Sequence, residues 1–269
     1  MSPENISETK SVCIASGKGG VGKSTIAVNL AVELAKKYKV LLFDADMGLA
    51  NVHAALNIKL AEKKWEAIFL NGDLLRDMPV KTEYNFDLIS GANGSSFLAS
   101  LDTSETMKLI RNFDVFTGLY EYIIIDSAAG VSPSVLTFLA ASNLRIVVGN
   151  NESGSILDAY GLIKSMHRNS DFGDIYFLGN RVSLQDGQRL FDQMNSAIYH
   201  FLNIQIDHIG SLIDDPFIST CWNRSVPILS SSPHCKASLQ LVEIAQKISG
   251  LAVSEARINR FKFLRTANE

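Results

Sequence analysis

Short apolar runs alternate with helical patterns along most of the chain. The runs lack polar alternation, which predicts strands that are buried on both faces of a sheet. Predicted strands span residues 11–15, 40–44, 86–90, 122–126, 144–149, 175–180 and 206–213, and predicted helices span 24–37, 104–119, 133–141, 153–169, 186–202 and 237–249. This order predicts an α/β fold: a doubly wound, mostly parallel sheet with helices on both faces.

Composition is that of an ordinary globular protein, with 269 residues, 46% hydrophobic and 20% charged. This length is sufficient for one large domain with a substantial core, and no second domain is required. The net charge of −3 argues against a body that binds nucleic acid through general electrostatics, although a local basic patch remains open. We therefore expect no direct nucleic-acid binding.

The cysteines and the apolar stretches bear on the compartment. Cys13, Cys221 and Cys235 are too scattered for a CxxC site and too few for a disulfide framework, which fits a reducing compartment. The first ten residues are polar, unlike a secretory signal, and no apolar stretch reaches the length of a membrane-spanning helix. We expect a cytoplasmic protein.

Residues 16–25, SGKGGVGKST, carry the densest chemical signal. An apolar run precedes them and a helical pattern follows, which is the context of a phosphate-binding loop. The candidate phosphate-binding residues are Gly17, Gly19, Gly20, Val21, Gly22, Lys23, Ser24 and Thr25. Glycines let consecutive backbone N–H groups face an anion, and the helix N-terminus adds positive potential. The alternative is a glycine-rich turn without a ligand, in which these residue types coincide by chance.

Within this loop, Lys23 is expected at the β- and γ-phosphates and Ser24 at a Mg²⁺ ion, while Thr25 donates to the α-phosphate. Lys18 is one lysine more than such a loop requires.

Three aspartates follow apolar strands that should end near the loop. Asp44 and Asp46 come at the end of VLLFDAD, and Asp126 ends YIIID. We expect Asp126 to bind Mg²⁺ directly or through water and Asp44 to hold a Mg²⁺-bound water. Asp46 would orient or activate the water that attacks the γ-phosphate. Capping of strands or helices is the alternative role for Asp44 and Asp46.

Several segments resemble a known family. SGKGGVGKST, DADMGLAN and IIIDSAAG resemble the deviant Walker A, switch I and switch II or Walker B regions of the MinD/ParA ATPases, which are P-loop NTPases of the SIMIBI type. DADMGLANV, SILDAYGLIK, GNRV and KASLQLVEIAQKI further resemble the FlhG/FleN (YlxH) branch of flagellar-number regulators. The resemblance covers nearly all of the chain after the first ten residues and implies a slow, Mg²⁺-dependent hydrolysis of ATP to ADP.

The resemblance also implies roles for particular residues. Lys18 would reach across an ATP-state homodimer to the partner's phosphates, and Asp46 would position water. Asn51 would lie in switch I near the dimer interface, and Gly130 would border the γ-phosphate. Asn180 would contact adenine, with Arg181 and Asp215 nearby. A simple turn residue at the end of a strand is the alternative for Asn180.

The family pattern implies as partners a flagellar GTPase, a flagellar transcription activator, or both. Alternatives are a MinD-like division-site or ParA-like positioning ATPase, or an antiactivator that acts mainly by binding a transcription regulator. Three segments depart from the pattern: VVGNNESGSI lacks the usual proline, as does the Leu212–Ile213 position, and MSPENISETK contains no DQAxxLR-like motif.

The expected organisation is a flexible segment at 1–10, an ATPase domain at 11–250 and a basic amphipathic tail at 251–269. In the tail, Ile258, Phe261 and Leu264 would form one helical stripe beside basic residues, namely Arg257, Arg260, Lys262 and Arg265. Such a helix can bind anionic lipid weakly and reversibly at the inner face of the membrane. Docking on the protein's own body is the alternative.

Overall fold

The computed structural model describes residues 9–46, 51–59, 65–91, 100–116, 118–169 and 173–252. Residues 253–269, which are most of the predicted tail, and residues 1–8, which are most of the predicted N-terminal segment, therefore lie outside the described residues.

The described part of the chain forms one eight-stranded sheet with the order β3-β4-β2-β5-β1-β6-β7-β8. The strands are β1 (Lys10–Ser16), β2 (Val40–Ala45), β3 (Val80–Lys81), β4 (Asp87–Ser90), β5 (Tyr122–Ala129), β6 (Leu144–Gly149), β7 (Ile175–Asn180) and β8 (Asp207–Leu212). Every neighbouring pair is parallel except β3 and β4. The predicted sheet is therefore confirmed, with a short antiparallel edge strand in addition.

Helices cover both faces of this sheet. They are α1 (Lys23–Leu34), α2 (Val52–Ala55), α3 (Trp65–Leu70), α4 (Thr103–Asn112), α5 (Pro133–Ala141), α6 (Ser153–Asn169), α7 (Leu184–Leu202), α8 (Pro216–Asn223), α9 (Ile228–Ser231) and α10 (Lys236–Gly250), with 3-10 turns at Gly72–Asp77 and Phe113–Phe116. All six predicted helices are present. The short helices α2, α3, α8 and α9 were not predicted, because a few residues cannot display a helical period.

Alternate side chains of the central strands enter two separate cores. Val12 and Ile14 pack with α1 and α10 on one face, whereas Cys13 and Ala15 face the other core with α4 to α7. On that second face Phe43 lies at the centre of an aromatic cluster, with ring centroids 4.8 Å from Phe113. Burying each such ring contributes about 1.5–3 kcal/mol. The central strands are thus buried on both faces, as their unbroken apolar runs predicted, whereas β3 and β8 at the edges are partly exposed.

The parallel register determines where polar residues meet. Asp44 of β2 and Ile14 of β1 both pair with Asp126 of β5 in the central strands. The carboxyl ends of these strands therefore lie side by side, and the loop that follows β1 is adjacent to both acids. Within the described residues, no helix is long and apolar enough to cross a membrane.

Candidate functional site

The phosphate loop connects β1 directly to α1. Gly22 caps α1 with φ 97°, and Gly20 has φ 77°, so both occupy the left-handed region that glycine tolerates. A Cβ on Gly17 would overlap the backbone carbonyl of Asp158 in α6. The Ser16 hydroxyl donates to the Lys18 carbonyl at 2.6 Å, which tightens the turn. The first N–H groups of α1 have no partner within the helix, so they are free to serve the anion that the sequence predicts.

Lys23 is the buried cation of the loop. Only 9% of its surface is exposed, and burial lowers the pKa of its ammonium, although the charges of Asp126 and Asp46 oppose that shift. The structure therefore brings Lys23, Asp126 and Asp46 together, as the sequence predicted. A buried ammonium has lost hydration that phosphate oxygens can replace, and a cation between those phosphates and the carboxylates would offset their repulsion.

Asp126 and Asp44 are two buried carboxyls on adjacent strands. Burial raises the pKa of both groups, and the negative charge of Asp126 raises the pKa of Asp44 further. A hydrogen bond from Ser24 and the charge of Lys23 partly counter this at Asp126. Asp44 instead accepts backbone hydrogen bonds from Asp46 at 3.3 Å and Val52 at 3.0 Å. Each acid thus resists ionisation until positive charge arrives.

These residues fit a Mg²⁺ ion. Asp126 Oδ1 is buried and has no hydrogen-bond partner among the described residues, and Ser24 lies within hydrogen-bond reach of the same carboxylate. No group of three or more His, Cys, Asp or Glu side chains able to hold a metal occurs in the described ranges. Mg²⁺ commonly takes one or two protein oxygens and completes its shell with water and phosphate. Ser24 and Asp126 are the residues that would hold it, and Asp44 lies beside Asp126 on the neighbouring strand.

Lys18 is placed very differently from Lys23. Its ammonium donates to Glu152 Oε2 at 2.8 Å, and the two side chains are 46% and 59% exposed. This hydrogen bond raises the pKa of Lys18 and lowers the pKa of Glu152. Such an exposed pair is weak, so Lys18 can exchange partners at little cost. The second lysine therefore lies at the surface and not against Asp126 or Asp46 of its own chain.

A cavity of about 230 Å³ begins where the loop ends. Its lining combines apolar and polar side chains, namely Gly22, Thr25, Ile26, Asn180, Arg181, Leu212, Asp214, Asp215, Ile218, Ser219 and Leu241. Asn180 is buried, and its Nδ2 donates to the Val21 carbonyl at 2.6 Å while its Oδ1 has no partner among the described residues. This cavity can hold a planar base between apolar side chains, with an amide oxygen available for its amino group.

The remaining predicted residues fall around this centre. Arg181 has φ 56° and lines the cavity, and Asp215 caps α8 through the Phe217 N–H at 3.0 Å. Gly130 donates its N–H to the Ser16 carbonyl at 2.9 Å with φ 93°, beside the loop. Asn51 lies at the exposed start of α2. The sequence missed Glu152 and Asp158, because nothing in the local pattern indicates that they contact a loop more than 130 residues away.

Phosphates and a base would bind one continuous surface, because Gly22 belongs to both the loop and the cavity. This arrangement defines a P-loop nucleotide-binding protein. Residues 12–249 match the model of the CobQ/CobB/MinD/ParA nucleotide binding domain, and the chain belongs to this family.

Individual relatives agree with the resemblance seen in the motifs. Antiactivator FleN of Pseudomonas aeruginosa is 31% identical over 240 residues, covering 88% of this chain and 85% of the relative. Flagellum site-determining protein YlxH of Helicobacter pylori is 29% identical over 256 residues, covering 94% of this chain and 84% of the relative. The solved septum site-determining protein MinD of Pyrococcus horikoshii, complexed with Mg-ADP, has a TM-score of 0.74 at 22% identity and covers 94% of this chain and 100% of its own. That structure shows the same fold, and the family and relatives identify a MinD/ParA-family ATPase.

Proposed function

We propose that this protein is a Mg²⁺-ATP-dependent dimerising switch that controls the number or placement of flagella. The observation that carries the dimer is the contrast between the two loop lysines. Lys23 is buried beside the acids, whereas Lys18 is exposed and held by Glu152. An exposed ammonium beside a phosphate loop is suited to the phosphates of a second chain, which would make stabilisation of the γ-phosphate depend on assembly.

Three residues of the site have separate roles in binding and hydrolysing ATP. When bound, Mg²⁺ supplies charge that neutralises the phosphate oxygens. Lys23 holds the β- and γ-phosphates, Asp46 orients and deprotonates the attacking water, and Asn180 accepts from the adenine amino group. The partner's loop brings its own lysine to the γ-phosphate. ATP thus favours the dimer, and hydrolysis to ADP returns monomers.

Light scattering with Mg²⁺-ATP and Mg²⁺-ADP tests the switch. The mass of the wild-type protein should double with Mg²⁺-ATP and stay unchanged with Mg²⁺-ADP. Lys18→Ala should remain monomeric with either nucleotide. Lys36→Ala is the matched control, because Lys36 is also an exposed lysine paired with a glutamate, Glu33. Asp46→Ala should accumulate as dimer. ATP-dependent dimerisation of Lys18→Ala equal to that of wild type would exclude a dimer in which Lys18 reaches the partner's phosphates.

The flagellar role is supported by the names of the relatives FleN and YlxH. Deletion of the gene should change the number or position of flagella and leave the division site unchanged. A displaced septum with normal flagella would instead indicate a MinD-like role, and unequal plasmid inheritance a ParA-like role.

A second candidate is an antiactivator that acts by binding a flagellar transcription activator, which the name of the FleN relative favours. For the ATP-dependent switch proposed first, a flagellar GTPase is a candidate partner beside the transcription activator. Asp46→Ala discriminates between turnover and binding. If ATP only shapes a binding surface, the trapped dimer represses at least as well as wild type. If turnover is required, regulation is lost.

Reversible membrane association of the dimer belongs to the same proposal and depends on the tail at 251–269, most of which lies outside the described residues. Co-sedimentation with vesicles containing anionic lipid should require ATP and the tail, because a dimer presents two weakly binding segments. Vesicles of neutral lipid are the control. Equal sedimentation after removal of 253–269 would exclude the tail as the anchor.

A further inference from the structure

The side chain of Asp44 accepts hydrogen bonds from the two ends of the segment 46–52, which contains the candidate catalytic residue Asp46. Its Oδ1 accepts the Asp46 N–H at 3.3 Å, and its Oδ2 accepts the Val52 N–H at 3.0 Å. Asp44 itself is 1% exposed at the end of β2. One rigid side chain in the sheet is therefore bonded to both ends of the segment that begins at Asp46 and ends at Val52.

Helix α2 has no side-chain cap of its own. Asn51 occupies the N-cap position with φ −123° and makes no side-chain hydrogen bond to the helix. The first N–H groups of a helix lack partners within the helix and need acceptors from outside. Asp44, eight positions earlier, accepts the first of them at Val52. A carboxyl oxygen there supplies the acceptor that the Val52 N–H lacks within the helix.

Other hydrogen bonds join the same strand ends to α2. The backbone carbonyl of Asp44 accepts from the Gly91 N–H at 2.9 Å, and Ser90 pairs with Asp44 in the β2–β4 register. The hydroxyl of Ser90 lies 3.2 Å from His53 Nδ1. The ends of β2 and β4 and the start of α2 therefore form one hydrogen-bonded unit with Asp44 at its centre.

We propose that Asp44 is a positioning residue that caps α2 from the strand and holds Asp46 beside the phosphate loop. The proposal rests on the proposed role of Asp46 in hydrolysis. It also accounts for the exposed position of Asn51, whose side chain is not needed to cap the helix. Asp44 acts on the reaction through Asp46 and the backbone.

Hydrogen exchange in nucleotide-free, chelator-treated protein tests the cap without relying on hydrolysis. In Asp44→Asn one acceptor oxygen is replaced by an NH₂ group, which cannot accept from a backbone N–H. Asparagine keeps one acceptor oxygen for two backbone donors, so exchange of the Asp46 amide, the Val52 amide or both should accelerate at least about fivefold. Asp126→Asn is the matched control, a second buried acid on the next strand, and should leave both amides protected. Unchanged protection in Asp44→Asn would overturn the proposal.

Steady-state kinetics provides the second readout. Asp44→Asn should lower kcat about tenfold or more, because the geometry of Asp46 is lost, with little change in KM for ATP or in the Mg²⁺ concentration for half-activity. A raised Mg²⁺ requirement with unchanged kcat at saturation would show that Asp44 serves only the metal and overturn the positioning role.

The two readouts separate the inference from the proposed function. Faster exchange of either amide in Asp44→Asn, together with a wild type that does not hydrolyse ATP, would retain the cap and reject the hydrolysis role. Asp44→Ser, a smaller side chain that cannot span both amides, replaces Asp44→Asn if the latter does not fold, and the same acceleration is expected.

Discussion

The side-chain amide of Asn180 donates to the backbone carbonyl of Val21 at 2.6 Å, although the two residues are 159 positions apart. This bond joins the end of β7 to the phosphate loop. At the next residue, Gly22, a Cβ would overlap Asn180 Nδ2. Phosphate loop and base cavity are therefore one packed unit, and the amide is oriented with its oxygen unpartnered.

Replacement of Asn180 should weaken ATP binding in a way that replacement of its neighbour does not. Asn180→Ala removes the hydrogen bond to the Val21 carbonyl and the Oδ1 acceptor in the cavity, so the Kd for ATP should rise about tenfold or more. Arg181→Ala is the matched control in the same cavity lining, with an exposed side chain, and should have a smaller effect. Calorimetric titration measures both. Equal losses would indicate that the Asn180 amide has no special role.

Replacement by alanine should destabilise the protein at one glycine of the loop and be tolerated at another. A Cβ at Gly17 overlaps the Asp158 carbonyl, whereas a Cβ at Gly19 meets nothing within 4 Å. Gly17→Ala should lower the free energy of unfolding by about 1–3 kcal/mol through overpacking against backbone. Gly19→Ala should stay within about 0.5 kcal/mol of wild type. Urea denaturation of nucleotide-free protein compares them, and similar values for both would contradict the contact between loop and α6.

Loss of the charge of Glu152 should favour dimerisation. Glu152→Gln releases Lys18 from its ion pair, so the ATP concentration for half-maximal dimer should fall roughly twofold to fivefold, as expected for an exposed pair. Glu33→Gln, which removes the exposed pair with Lys36, is the control and should change nothing. A weaker dimer in Glu152→Gln would mean that the carboxylate itself serves the assembled state.

Asp126→Asn should make stability less sensitive to pH. Burial raises the native pKa of Asp126 above its unfolded value of about 4. The native state therefore binds the proton more tightly, and this group's contribution lowers stability as pH rises from about 4 through the native pKa. Asparagine cannot ionise, so the free energy of unfolding of the variant should rise relative to that of wild type as pH rises through this range.

Urea unfolding between pH 4.5 and pH 8, with chelator and without nucleotide, measures this gain. The same variant should lose most of the thermal stabilisation that Mg²⁺-ATP confers on wild type, because Asp126 is a proposed metal ligand. A constant difference between variant and wild type across the pH range would show that Asp126 ionises normally in the fold.

Much of the fold and of the phosphate site follows from local sequence. Unbroken apolar runs identify the central strands, and the loop motif identifies Lys23 and Ser24, because consecutive residues display the period and the spacing. Asp44, Asp46 and Asp126 follow strand ends, and parallel strands bring such ends to one edge. The two-residue strand β3 and the four-residue helices α2 and α9 escape this reasoning, since they are shorter than any period.

Sequence alone thus determined the sheet, the loop and the acids near it, because those features depend on residues close together in the chain. Only the tertiary structure decided which partner each polar group has. The pairing of Lys18 with Glu152 and the orientation of the Asn180 amide by Val21 join elements distant in sequence, and the capping of α2 by Asp44 joins a strand to the helix that follows it. Two of these three use backbone carbonyl or N–H groups, which every residue carries alike, so no residue pattern can reveal them before the chain is folded.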